Sequence, residues 1–271
     1  MTSFIAALPM YDWPERRGEV DAEWAVIRDR LHAAGVDAPE SLVRRNADLP
    51  PVPGGIRDAA GHVVAPDPAT LPPDGLDLPT LWRHPALLLA QTCWGPMEET
   101  GLAAQVAVVG QPDYSGVPGG KGELYSSAIV MRRRNMSHSG KPEGDAEAPA
   151  DGEASLPLDL LQRVRLAFNE PHSRSGRLAL KADLESAGAG LSIFSGLLET
   201  GSHRLSIRAV AEGRADVAAV DCRSWSLARL HDPAAMALRV AGWTKRRLGL
   251  PFISALGLSS LHGVLRKAVG G

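Results

Sequence analysis

Two stretches of this chain put hydrogen-bond donors where a strand gives way to a helix. Val164-Arg165-Leu166-Ala167-Phe168 reads as a buried strand, and Asn169-Glu170-Pro171-His172-Ser173-Arg174-Ser175-Gly176 follows it as a turn dense in hydroxyls. Leu197-Leu198-Glu199-Thr200-Gly201-Ser202-His203 repeats the arrangement ahead of a second helix. A strand-to-helix turn gathers unpaired backbone N–H groups, the positive end of a helix and short side chains around one point. That is the chemistry of a pocket for an anion or a polar ligand. Ser173 or Ser175 can cap the first helix or donate to a ligand, and Gly176 permits close backbone approach. Ser202 has the same two roles open to it. His203 either bonds an anion or faces solvent.

Other candidates also follow strands. In Tyr11-Asp12-Trp13-Pro14 the two rings can wall a cleft while Asp12 caps the next helix; packing and capping alone account for them equally well. In Gln91-Thr92-Cys93-Trp94-Gly95-Pro96, Thr92 is a donor. Cys93 is a nucleophile on paper, with no His in register to activate it, so an inert thiol is the preferred reading. Tyr125-Ser126-Ser127 opens a strand and lines a sheet edge. Asp221 ends a strand and either accepts from a ligand or caps the segment after it. Arg132-Arg133-Arg134 precedes an acidic loop and reads as a solvated face. The chain contains no Walker loop, GxGxxG, GxSxG or HExxH pattern.

The elements that position these residues follow from periodicity. Ser3 to Met10 reads as a short buried strand. Pro14 opens a helix to about Ala34, with Val20, Trp24, Ile27 and Leu31 at helical spacing and Gly35 as its stop. Residues 46–79 are rich in Pro and Gly and read as a surface loop or insertion. Leu81–His84 reads as a helical turn, and Ala86–Gln91 and Val106–Val109 as buried strands. Tyr125–Arg133 is a strand, and residues 134–155 read as a mobile loop. Strands and helices then alternate: Val164–Phe168, a helix from Ser173, Gly196–Glu199, a helix over Ser202–Glu212, Val217–Val220, and a helix near Trp225–Leu230. Strands at Leu238–Trp243 and Pro251–Ala255 and a helix after Ser259 complete the chain. This alternation implies an α/β fold with mainly parallel sheets flanked by helices, in which ligands sit at the carboxyl ends of strands.

Composition sets the outer limits. The 271 residues suffice for one large domain or two lobes, and 44% hydrophobic with 22% charged residues is ordinary for a globular protein. A formal net charge of -2 gives no global field toward nucleic acid. Two cysteines, Cys93 and Cys222, cannot build a disulfide framework; one bridge is open to them, two buried thiols being preferred. No window approaches the roughly 18 apolar residues of a membrane span. The start, Met1 to Pro9, lacks a basic segment and a long apolar core and is not a secretory signal. The expected location is therefore the cytoplasm, or the periplasm if a leader has been removed. No catalytic residue, metal or cofactor is expected.

Taken in order, several segments resemble the phosphonate-type periplasmic substrate-binding proteins of ABC importers. They are Ala7-Leu8-Pro9-Met10-Tyr11-Asp12, Gln91-Thr92-Cys93, Gly110-Gln111-Pro112-Asp113-Tyr114, Asn169 to Gly176, and Glu199 to His203 continuing through Arg208 to Asp221. The resemblance implies a two-lobed type II periplasmic-binding-protein-like fold with two crossing hinge strands, near Val109–Tyr114 and Leu238–Trp243. It implies residues 1–110 and 238–271 as one lobe and 111–237 as the other, with the ligand captured in the inter-lobe cleft by closure and no chemistry. Carried over by position, the ligand shell is Tyr11, Thr92, Tyr125, Ser126, Ser173, Ser175, Ser202, His203 and Asp221; Trp13, Cys93, Asn169 and Gly176 adjoin it. The family uses hydroxyls and helix starts for the anion and carboxylates for an amine. The implied partners are a small phosphonate- or phosphate-like ligand and an ABC permease, with no nucleic acid. Residues 50–79 and 134–155 look like insertions in the family core. A cytoplasmic enzyme of the same fold, acting on a small carboxylate or heterocycle, and a sensor that reports ligand to a partner are the alternatives.

Overall fold

In a computed structural model of the chain, which describes residues 4–133 and 144–270, the chain divides after Pro112 and again after Gly249. Unit 1 is Met1–Pro112 with Leu250–Gly271, and unit 2 is Asp113–Gly249. Strand β1 is Ile5–Ala7, shorter than its apolar surroundings suggest, and is buried throughout. Ser3, where that strand was expected to start, lies outside the described residues. A 3-10 turn at Pro14–Arg16 leads into α1, Arg17–Ala33. Its buried stripe is Val20, Trp24, Ile27 and Leu31, the helical spacing of the sequence. Gly35, at φ 81°, ends it in the left-handed conformation that favours glycine.

The Pro/Gly-rich insertion is ordered by specific bonds. Asn46 Nδ2 donates to Pro72 O at 2.8 Å and Asn46 Oδ1 accepts from Asp77 N at 2.8 Å. Within the insertion β2, Ile56–Arg57, pairs antiparallel with β3, Val63–Ala65. The Asp77 side chain caps α2, Leu78–Arg83. Next come β4, Leu87–Gln91, buried at every residue, then α3, Trp94–Glu99, and β5, Val106–Gly110.

Unit 2 contains β6, Leu124–Tyr125, and β7, Ser127–Arg132, then α4, Leu158–Leu161, and β8, Arg165–Phe168. A wide π turn at Arg174–Leu178 enters α5, Ala179–Ser186. Strand β9, Gly196–Glu199, precedes α6, His203–Ala211; β10, Val217–Asp221, precedes α7, Cys222–His231; β11 is Leu238–Trp243 and β12 Arg247–Leu248. The chain then rejoins unit 1 as β13, Phe252–Ala255, and α8, His262–Val269. Residues 238–249, expected with the first lobe, lie in unit 2 because β11 pairs along β7. The second passage between units falls at Gly249–Leu250, later in the chain than Leu238–Trp243.

The unit 1 sheet has the order β1-β4-β13-β5 and the unit 2 sheet the order β11-β7-β10-β8-β9. The α/β class holds, but the sheets are mixed rather than mainly parallel. Strands β1 and β4, and β8 with both β9 and β10, are parallel. Strand β13 runs antiparallel to β4 and β5 because the returning chain enters the sheet at the end where those strands leave it. Strand β7 is antiparallel to β10 and β11. Unit 1 buries clusters on the two faces of its sheet, one around Trp24 and Leu88 and one around Leu81 and Leu87. In unit 2, Ile129, Leu166, Leu180 and Val217 share a core.

The segment expected as a mobile loop divides. Arg134 and residues 135–143 lie outside the described residues. Residues 144–155 run along edge strand β11: Ala146 N donates to Val240 O, and Ser155 and Trp243 exchange backbone bonds at 2.8 and 2.9 Å. Asp145 Oδ1 accepts from Val240 N, and Trp243 Nε1 donates to Ala146 O. An acidic, Ala-rich segment thus covers a sheet edge. No helix among the described residues is long and apolar enough to cross a membrane.

Candidate functional site

Strands β8, β9 and β10 lie side by side and parallel, so their carboxyl ends open on one edge of unit 2. Asn169 and Glu170 follow β8, Thr200 and Gly201 follow β9, and Asp221 ends β10. The turns are tied together: Gly201 N donates to Asn169 O at 2.8 Å, and Thr200 N donates to Phe168 O at 2.9 Å. Gly201 has φ 88°, which a side chain would strain. Gly176 packs so tightly that a Cβ there would collide with Asn169 Oδ1.

The two serines of the first turn take different roles. Ser173 caps, its hydroxyl accepting from Gly176 N at 3.1 Å. Ser175, also buried, sits 2.8 Å from His203 Nε2. That same nitrogen lies 3.3 Å from Asp221 Oδ2, with the two side chains only 13% and 3% exposed. His203 therefore does not face solvent. Asp221 takes the capping role, Oδ1 accepting from Ser224 N at 2.9 Å at the start of α7, while Oδ2 meets the imidazole. Burial holds the His203 pKa below the usual 6.5, against the opposing pull of Asp221. The ring is then neutral near pH 7. With its proton on Nε2, the ring donates between Asp221 Oδ2 and Ser175 Oγ, both of which can accept. Ser175 Oγ then accepts from the ring, and its own proton is left to donate elsewhere.

This is not a proton relay. A nucleophilic triad sets base and orienting carboxylate on opposite ring nitrogens; here Ser175 and Asp221 share one. The arrangement orients a donor and does not activate it.

Ser127 braces the site from β7, donating to Ser175 O at 2.9 Å while its own N–H donates to Thr244 Oγ1 at 2.8 Å. Behind it, Tyr125, Ser127, Arg174, Ser175, Lys245 and Arg247 line a tight recess. Two of its cations are already paired: Arg247 with buried Asp183 and Lys245 with Glu153. Ser126, expected to line the edge, turns away; its hydroxyl donates to Gly119 O at 2.9 Å and it interrupts the strand between β6 and β7. Tyr125 is buried and stacks on Tyr114 at 5.3 Å. Ser202 caps α6 by accepting from Leu205 N at 3.1 Å.

In unit 1, Tyr11 and Thr92 follow the adjacent parallel strands β1 and β4. Both are buried, and Thr92 Oγ1 has no hydrogen-bond partner. Trp13 precedes the turn into α1, but Asp12 does not cap that helix; Arg44 grips it through contacts of 2.6 and 3.2 Å. Cys93 stands at the start of α3. Neither Cys93 nor Cys222 forms a disulfide and both are buried, and burial and Asp221 push the Cys222 thiol up to about 12. Cys222 is thus an inert thiol, and no bridge joins the two.

Glu170 was absent from the expected shell. Burial, then the nearby Glu199 carboxylate, raises its pKa above the usual 4.5. Its signal was its place after β8 beside a second carboxylate at the end of β9, which only strand order reveals. Among the described residues no group of three or more His, Cys, Asp or Glu is arranged to hold a metal ion.

The family described as ABC transporter, phosphonate, periplasmic substrate-binding protein matches residues 102–258, more than half the chain and including every candidate residue of unit 2. No curated protein matches the chain. Among solved structures, PhnD1 of Prochlorococcus marinus, in complex with methylphosphonate, is 17% identical at TM-score 0.59, with 98% of this chain and 82% of that chain covered. A binding-protein component of an ABC phosphonate transporter from Pseudomonas aeruginosa is 16% identical at TM-score 0.53, covering 98% and 73%. A Xanthomonas citri protein bound to chloride is 13% identical at TM-score 0.57, covering 99% and 83%. At these identities the likeness shows a shared periplasmic-binding-protein-like fold.

Proposed function

Since the chain belongs to the periplasmic substrate-binding proteins of phosphonate ABC transporters, we propose that it captures a small phosphonate at the carboxyl ends of β8, β9 and β10 and delivers it to an ABC permease from the periplasm. The observation that carries this reading is the Asp221–His203–Ser175 chain. A buried, neutral imidazole fixed by a carboxylate orients the Ser175 hydroxyl as a donor, beside the amide-rich starts of α5 and α6. Tetrahedral anions accept from hydroxyls and backbone amides together. Tyr11 and Thr92, after the parallel strands of unit 1, are the further donors of the proposed shell, with Trp13 and Cys93 as its apolar neighbours. In unit 2, Asn169, Ser173, Gly176 and Ser202 shape the turns, Tyr125 ends β6, and Ser126 follows it with its hydroxyl on Gly119 O. The Glu170–Glu199 pair supports a cationic amino substituent on the ligand, whose charge would relieve their repulsion. The shared use of one imidazole nitrogen supports binding without chemistry.

A thermal-shift series tests the ligand class. Methylphosphonate and 2-aminoethylphosphonate, each about a hundredfold above its Kd, should stabilise the chain by about 2.7 kcal/mol and raise its Tm. Acetate and methanesulfonate should leave it unchanged. A rise with acetate or a heterocycle and none with either phosphonate contradicts the reading.

A further inference from the structure

Unit 1 holds a second cavity, at the end of its sheet opposite Thr92. Its walls come from the approach to β4 (Arg83 and Pro85), the approach to β5 (Ala104 and Gln105) and the exit of β13 (Ala255 and Leu256). The insertion lines one side of it through Val52, β2 and the residues following β2, leaving a half-open cavity of about 300 Å³. His84 anchors the insertion: Nδ1 accepts from Ala86 N at 3.1 Å, and Nε2 lies 3.0 Å from Pro50 O as donor.

The floor is apolar and the charge above it is unbalanced. Arg57 Nη1 donates to the Gly61 carbonyl. Arg83 donates to the carbonyls of Pro79 and Thr100 and to the Thr100 hydroxyl, while its Nε is buried without a partner. Burial lowers the Arg83 pKa from 12.5, opposed only by Asp77; the guanidinium stays charged at neutral pH. Among the described residues neither arginine meets a carboxylate. Asp58, also on the wall, is engaged by the N–H groups of Ala60 and His62 and by the His62 ring. Arg57 and Arg83 outnumber the one carboxylate, Asp58, on a largely apolar wall, a lining suited to a compact apolar molecule carrying one carboxylate.

We infer that this cavity is a second ligand site, taking a small monocarboxylate with an apolar body, with Arg57 on the carboxylate and Arg83 adding positive charge to the wall. Benzoate is the probe, followed by amide NMR shifts of the full chain. It should bind with Kd on the order of 1 mM and shift Ile56, Gln105 and Leu256. Arg57→Gln should weaken binding roughly tenfold, and Ala104→Trp, which plugs the exposed rim, should abolish it. Benzyl alcohol, lacking the charge, should bind at least about tenfold more weakly. Ser175→Ala should leave benzoate binding unchanged, which separates this site from the phosphonate site. The inference is overturned if benzoate leaves these amides unmoved, if Ala104→Trp binds it as well as wild type, or if benzyl alcohol binds equally well.

Discussion

Ser173 and Ser175 show how much two residues decide. Spacing alone marks both as cap or donor, and the structure divides the roles: Ser173 caps and Ser175 meets His203. The division could not be read from the sequence because it depends on α6 delivering a ring across from the next turn. The glycine between these turns was legible as a point of close approach, and its neighbour was not. Asn169 Oδ1 occupies the space a Gly176 Cβ would need. Gly176→Ala should therefore cost about 2 kcal/mol, seen as a lower urea midpoint. An unchanged midpoint would mean that Asn169 swings aside freely.

At the scale of elements, periodicity located most strands and helices of unit 2 to within a residue or two, while the short α4 and β12 carried no signal and α7 begins three residues before Trp225. Pairing direction was less legible: β7 and β13 carry the same apolar signature as their parallel neighbours, and only the path of the chain reverses them. Residues 144–155 read as mobile because they lack periodicity, yet backbone bonds to β11 need none. Ion pairs join elements in a way that pH can probe. Asp216, before β10, accepts from Arg165 N and Nε of β8 and from Arg132 of β7, which hold its pKa at about 2 against a usual 3.8. A lowered carboxylate pKa stabilises above pH 3.8, and that stability drains away as pH falls from about 4 toward about 2. The two arginines are 46% and 41% exposed, so screening reduces the effect to about 1–2 kcal/mol. Asp216→Asn should lower the urea midpoint at pH 7 and flatten its acid dependence. A variant with wild-type acid dependence would show that the cluster contributes nothing.

At the scale of the molecule, each unit has its own sheet and its own core, and both carry candidate donors beyond the carboxyl ends of parallel strands. The motifs that resemble the phosphonate-binding family fall at those strand ends, so the sequence already placed the candidate residues after strands. The insertion was legible only as an interruption; the cavity it lines arises from tertiary packing. The central claim is that Ser175, oriented by His203 and Asp221, donates to a phosphonate. Calorimetric titration of methylphosphonate into wild type and Ser175→Ala tests it most directly. Loss of a hydrogen bond to a charged ligand should weaken affinity by roughly ten- to a hundredfold, with the Tm of the unliganded variant little changed. Equal affinity for the two proteins would contradict the account.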